Sequence, residues 1–340
     1  MGLETKILKI KYMGNLDDVL RNIEKKYGKG AIINFEDDRF DDVECVSSGS
    51  LSLDVALGGG YAVGRIIEIF GEESSGKTTL AIHAAVNFQR RFPDKAVLYI
   101  DVENAFDTFY GEALGLSYKK NQWLFSQPKS GEEAFDIIED MIKSGEISLI
   151  VVDSVAALIP RAELEGEYGE SKMGLHARLM SQAMRKLVNM ISKYKCTVIF
   201  INQLRDKLGV MFGETKTTTG GHALKFYSTQ RLEVSRAGQE KDGDEVIANK
   251  TRVRIKKNKI APPFRKAEFN IVFGEGIDTI GEVINMASEA EIIKKSGSWF
   301  SYGEVKLGQG FDAARKLLRD NPELFEELEG KLRKYLGLND

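Results

Sequence analysis

The sequence predicts an α/β fold: a mostly parallel central sheet covered by helices, a short helical segment ahead of it and a small α+β domain behind. Three observations lead there. Four short runs, RIIEIF (65–70), AVLYID (96–101), LIVVD (149–153) and TVIFIN (197–202), are apolar almost throughout, as strands are when both faces are covered. Helix-length segments such as TTLAIHAAVNFQRRF and HARLMSQAMRKLVNMISKY stand between them, and strand–helix alternation builds parallel sheets. One strand-to-helix junction reads GEESSGKT (71–78), the pattern G-x-x-x-x-G-K-T of a phosphate-binding loop.

The elements run in order. Residues 14–27, GNLDDVLRNIEKKY, carry Leu16, Val19, Leu20, Ile23 and Tyr27 at helical spacing, with Asn15 as N-cap. An acidic stretch, FEDDRFDDVE, marks a boundary and sets off residues 1–40 as an N-terminal helix/strand segment. The sheet-bearing core runs over 41–278. Its later strands, TQRLEVSR, TRVRIKKNKI and EFNIVFG, are shorter and more polar and read as an antiparallel extension. Residues 279–340 form the small domain: GEVINMASEAEIIKK as helix, WFSYGEVKLG as a hairpin around Gly303, FDAARKLLRD as helix, then NPELFEELEGKLRKYLG with Asn321 as cap and Pro322 at the first helical position.

Composition bounds the function. The 340 residues carry a formal net charge of −3, which excludes a globally basic nucleic-acid binder but leaves room for a local basic patch. Two cysteines, Cys45 and Cys196, make no metal motif; Cys196 opens an apolar run and reads as core. With no secretory signal and no membrane-length apolar run, the expected setting is cytoplasmic, with no membrane partner.

The chemistry concentrates at strand ends. In GEESSGKT, Gly71 and Gly76 allow backbone angles a Cβ would forbid, so that N–H groups along Glu72, Glu73, Ser74 and Ser75 turn toward phosphate oxygens, ahead of the helix TTLAIHAAV with Thr79 in its first turn. Lys77 supplies charge to the β and γ phosphates, and Thr78 a hydroxyl to Mg²⁺. Asp153, closing LIVVD, is the second metal-side oxygen, or a cap for the next segment. Asp101 and Glu103 lie two apart and share a face if their strand persists. Glu103 is the candidate to orient an attacking water, or else a surface carboxylate. Gln203, directly after TVIFIN, can reach a γ-phosphate and pull on the chain beyond it. That chain includes GVMFGETKTTTGG (209–221), which shows no helical or strand period and reads as a mobile loop.

Over nearly its whole length the chain resembles the bacterial RecA recombinases. The carrying stretches are GRIIEIFGEESSGKTTL, LIVVDSVAALIPRAELEGEYGESKMGL, ARLMSQAMRKL, FINQLRDKLGVMFGETKTTTGGHALKFY and KNKIAPPFRKAEFNIVFGEGID. The resemblance implies a RecA-like P-loop core and a DNA-dependent ATPase that forms helical filaments on single-stranded DNA, pairs it with duplex and exchanges strands. It implies ATP and Mg²⁺ as cofactors, and as partners single- and double-stranded DNA, further copies of the chain and an SOS repressor whose self-cleavage the filament assists. It also implies two DNA loops, about Glu165–Leu175 and Leu204–Phe226. In these, Met173, Leu208 and Val210 match residues that lie against bases; Arg178, Arg205, Gly220 and Gly221 match backbone contacts, with Ser181 beside them. Gly174, Gly209, Met211, Phe212 and His222 join them in the loops. Lys77, Glu103 and Gln203 match the catalytic positions, Thr78 and Asp153 the metal pair, and Asp107 and Tyr110 the adenine site. Lys257 and Lys259 match lysines reaching a neighbour's phosphates, and Phe226 an interface aromatic. The family's E-H-A is Glu103-Asn104-Ala105 here. The alternatives from other classes are a ring motor on the same core and a DNA-filament scaffold that exchanges no strands.

Softer signals stay open. Trp299 and Tyr302 could stack on nucleic acid, but small-domain core is favoured. Arg252 and Arg254 could be a solvated strand edge. The Met-rich face of 174–194 reads as packing against the sheet, and His83 and His176 as structural.

Overall fold

The computed structural model describes residues 15–29, 31–32, 43–167, 174–206 and 215–338. The chain divides into two units, Met1–Val43 and Glu44–Asp340. In the first, helix α1 spans Leu16–Tyr27 behind Asn15, whose side chain makes no capping bond. None of its residues is fully buried; in its apolar stripe Leu16, Val19 and Tyr27 are exposed, and Leu20 and Ile23 half-buried. The acidic 33–42 stretch lies outside the described residues.

The second unit opens with β1 (Cys45–Val46), α2 (Leu51–Leu57), β2 (Tyr61–Ala62) and β3 (Ile66–Gly71). Next come α3 (Lys77–Arg91), β4 (Ala96–Asp101), α4 (Thr108–Ala113), β5 (Trp123–Ser126), α5 (Gly131–Ser144), β6 (Ile147–Asp153), α6 (Arg161–Leu164) and α7 (Leu175–Tyr194). The sheet continues with β7 (Thr197–Asp206), β8 (Lys216–Thr218), α8 (Ala223–Tyr227), β9 (Gln230–Asp242), β10 (Glu245–Asn258), β11 (Lys266–Val272) and β12 (Gly276–Ile277). Strand order is β12-β11-β10-β9-β3-β7-β6-β4-β5, with β8 attached to β7.

Alternation along the central strands sorts side chains onto two faces. Ile67, Ile69, Val97, Tyr99, Leu149, Val151, Ile199 and Ile201 meet α2 and α3 on one face. Ile66, Leu98, Ile100, Ile150, Val152, Val198 and Phe200 meet α5 and α7 on the other. The methionines Met180 and Met184 of α7 are part of that second layer, as is Cys196. Parallel strands covered on both faces are apolar almost throughout, which is why the four runs were legible. The strand β5, part exposed at the sheet edge, was missed for the opposite reason.

Three expectations are corrected. The antiparallel extension begins at β10: β9, read as part of it, pairs parallel with β3. The C-terminal helix α9 stops at Glu289 (Thr279–Glu289), and Lys294–Ser296 forms strand β13 against β14 (Trp299–Tyr302), itself paired to β15 (Val305–Gln309). Pairing to β14 takes the IIKK stretch out of the helix. Within β14, Phe300 and Tyr302 are buried but Trp299 is 49% exposed; residues at odd spacing cannot all face one core, so the core expectation fails for Trp299. The domain closes with α10 (Phe311–Asp320) and α11 (Pro322–Tyr335), packed with α9 and with Leu51 of α2. Among the described residues no helix is long and apolar enough to cross a membrane.

Candidate nucleotide site and DNA-facing loops

Backbone packing shapes the phosphate loop. A Cβ on Gly71 would lie 2.1 Å from the carbonyl oxygen of Val234, and one on Gly76, at φ +99°, 2.5 Å from Ile271. Arg236 holds the Ser74 carbonyl at 3.3 Å from the next strand. Lys77 is buried and donates to the Glu72 carbonyl at 2.5 Å; burial lowers its pKa, against the pull of Asp153, Glu103, Glu73 and Glu72. An ammonium held among carboxylates in a cleft is ready for a polyphosphate.

The metal-side pair is in contact. Thr78 Oγ1 donates to Asp153 Oδ2 at 3.0 Å, and Tyr99 donates to the same oxygen at 2.8 Å. Burial raises the Asp153 pKa, while these two bonds oppose the shift. Oxygen-only donors suit a hard cation. Among the described residues no group of three or more His, Cys, Asp or Glu could hold a metal, so a cation here would complete its shell with phosphate and water.

The Asp101–Glu103 expectation is corrected. Strand β4 ends at Asp101, which is buried and accepts from the backbone N–H groups of Ala105 and Phe106 and from Gln127. Glu103 lies past the strand and is exposed. Its Oε1 accepts from Ser154 Oγ and, at 2.8 Å, from Gln203 Nε2. Gln203 sits beside Gly71 in the β3–β7 register. The candidate sensor, the candidate base and the phosphate loop therefore converge from segments distant in sequence.

The adjoining cleft of about 230 Å³ is lined by Ser74–Thr79, Tyr110, Asn249, Thr251, Ile271 and Phe273. Tyr110 Oη lies 3.1 Å from Thr79 Oγ1. Asp107 caps α4, its carboxylate accepting from Tyr110 N at 3.0 Å. Ser75 Oγ and Asn249 Oδ1 are buried without a hydrogen-bond partner among the described residues. A glycine cradle and polar atoms left unpaired fit a nucleotide. Sequence reasoning missed Asn249, Thr251, Ile271 and Phe273, because nothing in an alternating strand marks which rung faces a loop far earlier in the chain.

The two loop roots meet on one end of the sheet. Gly174, at φ +82°, opens α7; Arg178 in its first turns is exposed and Ser181 half-buried. Gly220 and Gly221 adopt φ +80° and +74°, and a Cβ there would approach Val155 and Met180 to 3.1–3.2 Å, and Ala177 to 2.9 Å. The loop reading of 209–221 is corrected in part: Lys216–Thr218 is a strand, paired antiparallel with Leu204–Asp206. Arg205 donates to Gln203 Oε1 at 2.6 Å. His222 is exposed, its ring centroid 6.4 Å from that of Phe226, which is 71% exposed. Lys257 donates to the carbonyls of Lys225 and Phe226 at 2.8 Å, and Lys259 is exposed. Met173, Leu208, Gly209, Val210, Met211 and Phe212 lie outside the described residues.

Fold and site together define a P-loop nucleotide-binding α/β protein, with Gly174 and Gly220–Gly221 at the ends of helix α7 and the β8 arm brought together. The chain matches the RecA N-terminal domain over residues 14–278 and the RecA C-terminal domain over 281–337. Among curated relatives, Protein RecA of Porphyromonas gingivalis is 56% identical over 315 residues, covering 92% of each chain. Protein RecA of Bacteroides thetaiotaomicron is 56% identical over 316 residues, 93% of this chain and 94% of the relative. That of Levilactobacillus brevis is 53% identical over 326 residues, 96% and 85%. The chain belongs to the RecA family. It is an ATP-binding, DNA-dependent ATPase of homologous recombination.

Proposed function

We propose that the chain assembles as a helical filament on single-stranded DNA, pairs it with homologous duplex and exchanges strands, with ATP and Mg²⁺ bound at the site built around Lys77. The observation that carries this is the continuous hydrogen-bond line Arg205–Gln203–Glu103–Ser154, from the root of the second loop to the phosphate site. Lys77 binds the β and γ phosphates, Thr78 and Asp153 would hold Mg²⁺, and Glu103 orients the attacking water. The bound cation neutralises phosphate charge. Gln203 exchanges its bond to Glu103 for one to a γ-phosphate oxygen, which frees the carboxylate and shifts Arg205. Ser74–Thr79, Asp107 and Tyr110 hold the nucleotide. Arg178, Ser181, Arg205, Gly220, Gly221 and His222, with the loop residues from Met173 and Leu208–Phe212, contact DNA.

Exposed Phe226 and the apolar stripe of α1 supply surface for a neighbouring copy. Lys259 is positioned to serve that neighbour's phosphates, and Lys257 joins it by releasing the two carbonyls it now holds. The parts are 1–40 for assembly, 41–278 for ATP and DNA, and 279–340 as accessory domain. We place the protein in the cytoplasm, where an assembled filament also assists SOS-repressor self-cleavage. Mixing single strands with homologous duplex tests the reading. Joint molecules should form with ATP; unwinding without exchange would identify a motor, and DNA coating alone a scaffold.

A further inference from the structure

We propose that Thr219 is a positioning residue for the coupling of DNA to hydrolysis: its hydroxyl fastens the returning arm of the second loop to the strand that carries Gln203. The proposal rests on the reading of Gln203 as the link between the sites.

The joint is Asn202, which is fully buried. Its Oδ1 accepts two bonds, from Thr219 Oγ1 at 2.5 Å and from the backbone N–H of Gln203 at 2.8 Å. Its Nδ2 donates to Glu68 Oε1 at 2.9 Å and to the Thr219 carbonyl at 3.1 Å. The amide cannot turn over, because its NH₂ faces a fully buried carboxylate that only accepts. Glu68 is held in turn by Arg231, whose guanidinium lies 4.7 Å from the centre of the Phe70 ring. One immobile carbonyl oxygen thus serves the sensor strand's backbone and the loop arm's side chain.

The arm has little slack on either side. Gly220 and Gly221 pack against α7 directly after Thr219. Before it, Lys225 donates to Thr217 Oγ1 at 2.9 Å, and Lys216 pairs with Glu72 of the phosphate loop. Displacing the arm therefore pulls on Asn202, and through it on the peptide of Gln203. Without the hydroxyl, the arm keeps its pairing with Leu204–Asp206 and the bond from Asn202 Nδ2 to the Thr219 carbonyl, but loses its hold on the one oxygen that also anchors the Gln203 peptide, so the coupling weakens.

The test compares Thr219→Val, which keeps the shape and loses the donor, with Thr219→Ser, which keeps the donor. Gln203→Ala is run alongside. DNA affinity is measured with a non-hydrolysable ATP analogue and with ADP, together with analogue affinity and melting temperature. Thr219→Val should lower the analogue-to-ADP ratio of DNA affinities by about fivefold or more, the range of ordinary allosteric coupling. Analogue affinity without DNA should hardly change, and Thr219→Ser should keep the wild-type ratio. If Gln203→Ala loses the ratio and Thr219→Val retains it, the Thr219 proposal is overturned and the reading of Gln203 stands. If both retain it, both fall. Should Thr219→Val melt much lower, hydrogen exchange at Gly220–Ala223 decides. Analogue-induced protection in wild type and Thr219→Ser but not Thr219→Val supports the proposal, and equal protection in all three overturns it.

Discussion

The phosphate loop and the arm that returns through Thr219 stand at the ends of neighbouring strands and differ in what adds to their backbone packing. The phosphate loop is shaped by glycines: Gly71 lies against the Val234 carbonyl and Gly76 against the Ile271 side chain, so closely that no side chain fits. The arm, besides its backbone pairing with Leu204–Asp206, is tied down by a set of side-chain bonds: Thr219 on Asn202, Lys225 on Thr217, Lys216 on Glu72. Backbone packing gives one geometry whatever is bound, as a phosphate cradle requires. Side-chain bonds can be exchanged one at a time when DNA or a γ-phosphate offers a better partner, as a switch requires.

The largest effect should come from the rigid side. Lys77→Ala removes the cradle's central charge without touching the fold. Wild type should gain about 2.7 kcal/mol at a hundredfold excess of ATP over Kd, and the variant should gain almost nothing. Thermal melts with and without nucleotide measure it, and an equal shift in both would end the distinction between cradle and switch at this residue.

A second experiment asks how firmly the cradle's helix is anchored. His83, on α3, accepts from the backbone N–H of Ile277 at 3.0 Å, and burial lowers its pKa from 6.5 to about 4. A lowered histidine pKa favours the neutral form in the folded state, so its contribution is present above pH 6.5 and is lost as pH falls toward 4. Between pH 7.5 and 5 the loss is about 2 kcal/mol. Asp54 works the other way, because burial raises its pKa to about 6 despite bonds from Ser47 and Ser48. The measurement is therefore the difference between wild type and His83→Gln in denaturant midpoints across that range. The variant's curve should be flatter, and parallel curves would show that His83 does not anchor the helix.

The smallest effect belongs to the exposed end of the arm. Through their hydrogen bond Glu72 raises the pKa of Lys216 and Lys216 lowers that of Glu72, but both are solvated. Lys216→Gln should weaken nucleotide-enhanced DNA binding slightly at low salt and not at all at high salt, since exposed pairs are screened. A salt-independent loss would mean that Lys216 touches DNA or nucleotide directly.

Local sequence was enough for the phosphate loop, the strands beneath it and the carboxylate at the end of LIVVD. Covered parallel strands are apolar at nearly every position, and a phosphate cradle needs glycines and a lysine at set spacing; both constraints act over a few residues. The same local logic reached Gln203 by reading it as the end of its strand, although β7 runs on to Asp206, where Leu204–Asp206 pairs with Lys216–Thr218. It could not see that β4 stops at Asp101 and leaves Glu103 to meet Gln203 across the cleft, since that depends on where Asp101 is bonded. Nor could it see Lys216–Thr218 as a strand, because its pairing partner, Leu204–Asp206, is set by register and three polar residues carry no period of their own. Asn249 and Asn202 were invisible for a related reason: an asparagine on a strand looks alike whether it faces water, a nucleotide or a buried glutamate. Chain-local chemistry determined which groups handle phosphate. Only the register of strands distant in sequence decided which groups those would touch, because hydrogen-bond partners are chosen by position in space and not by spacing along the chain.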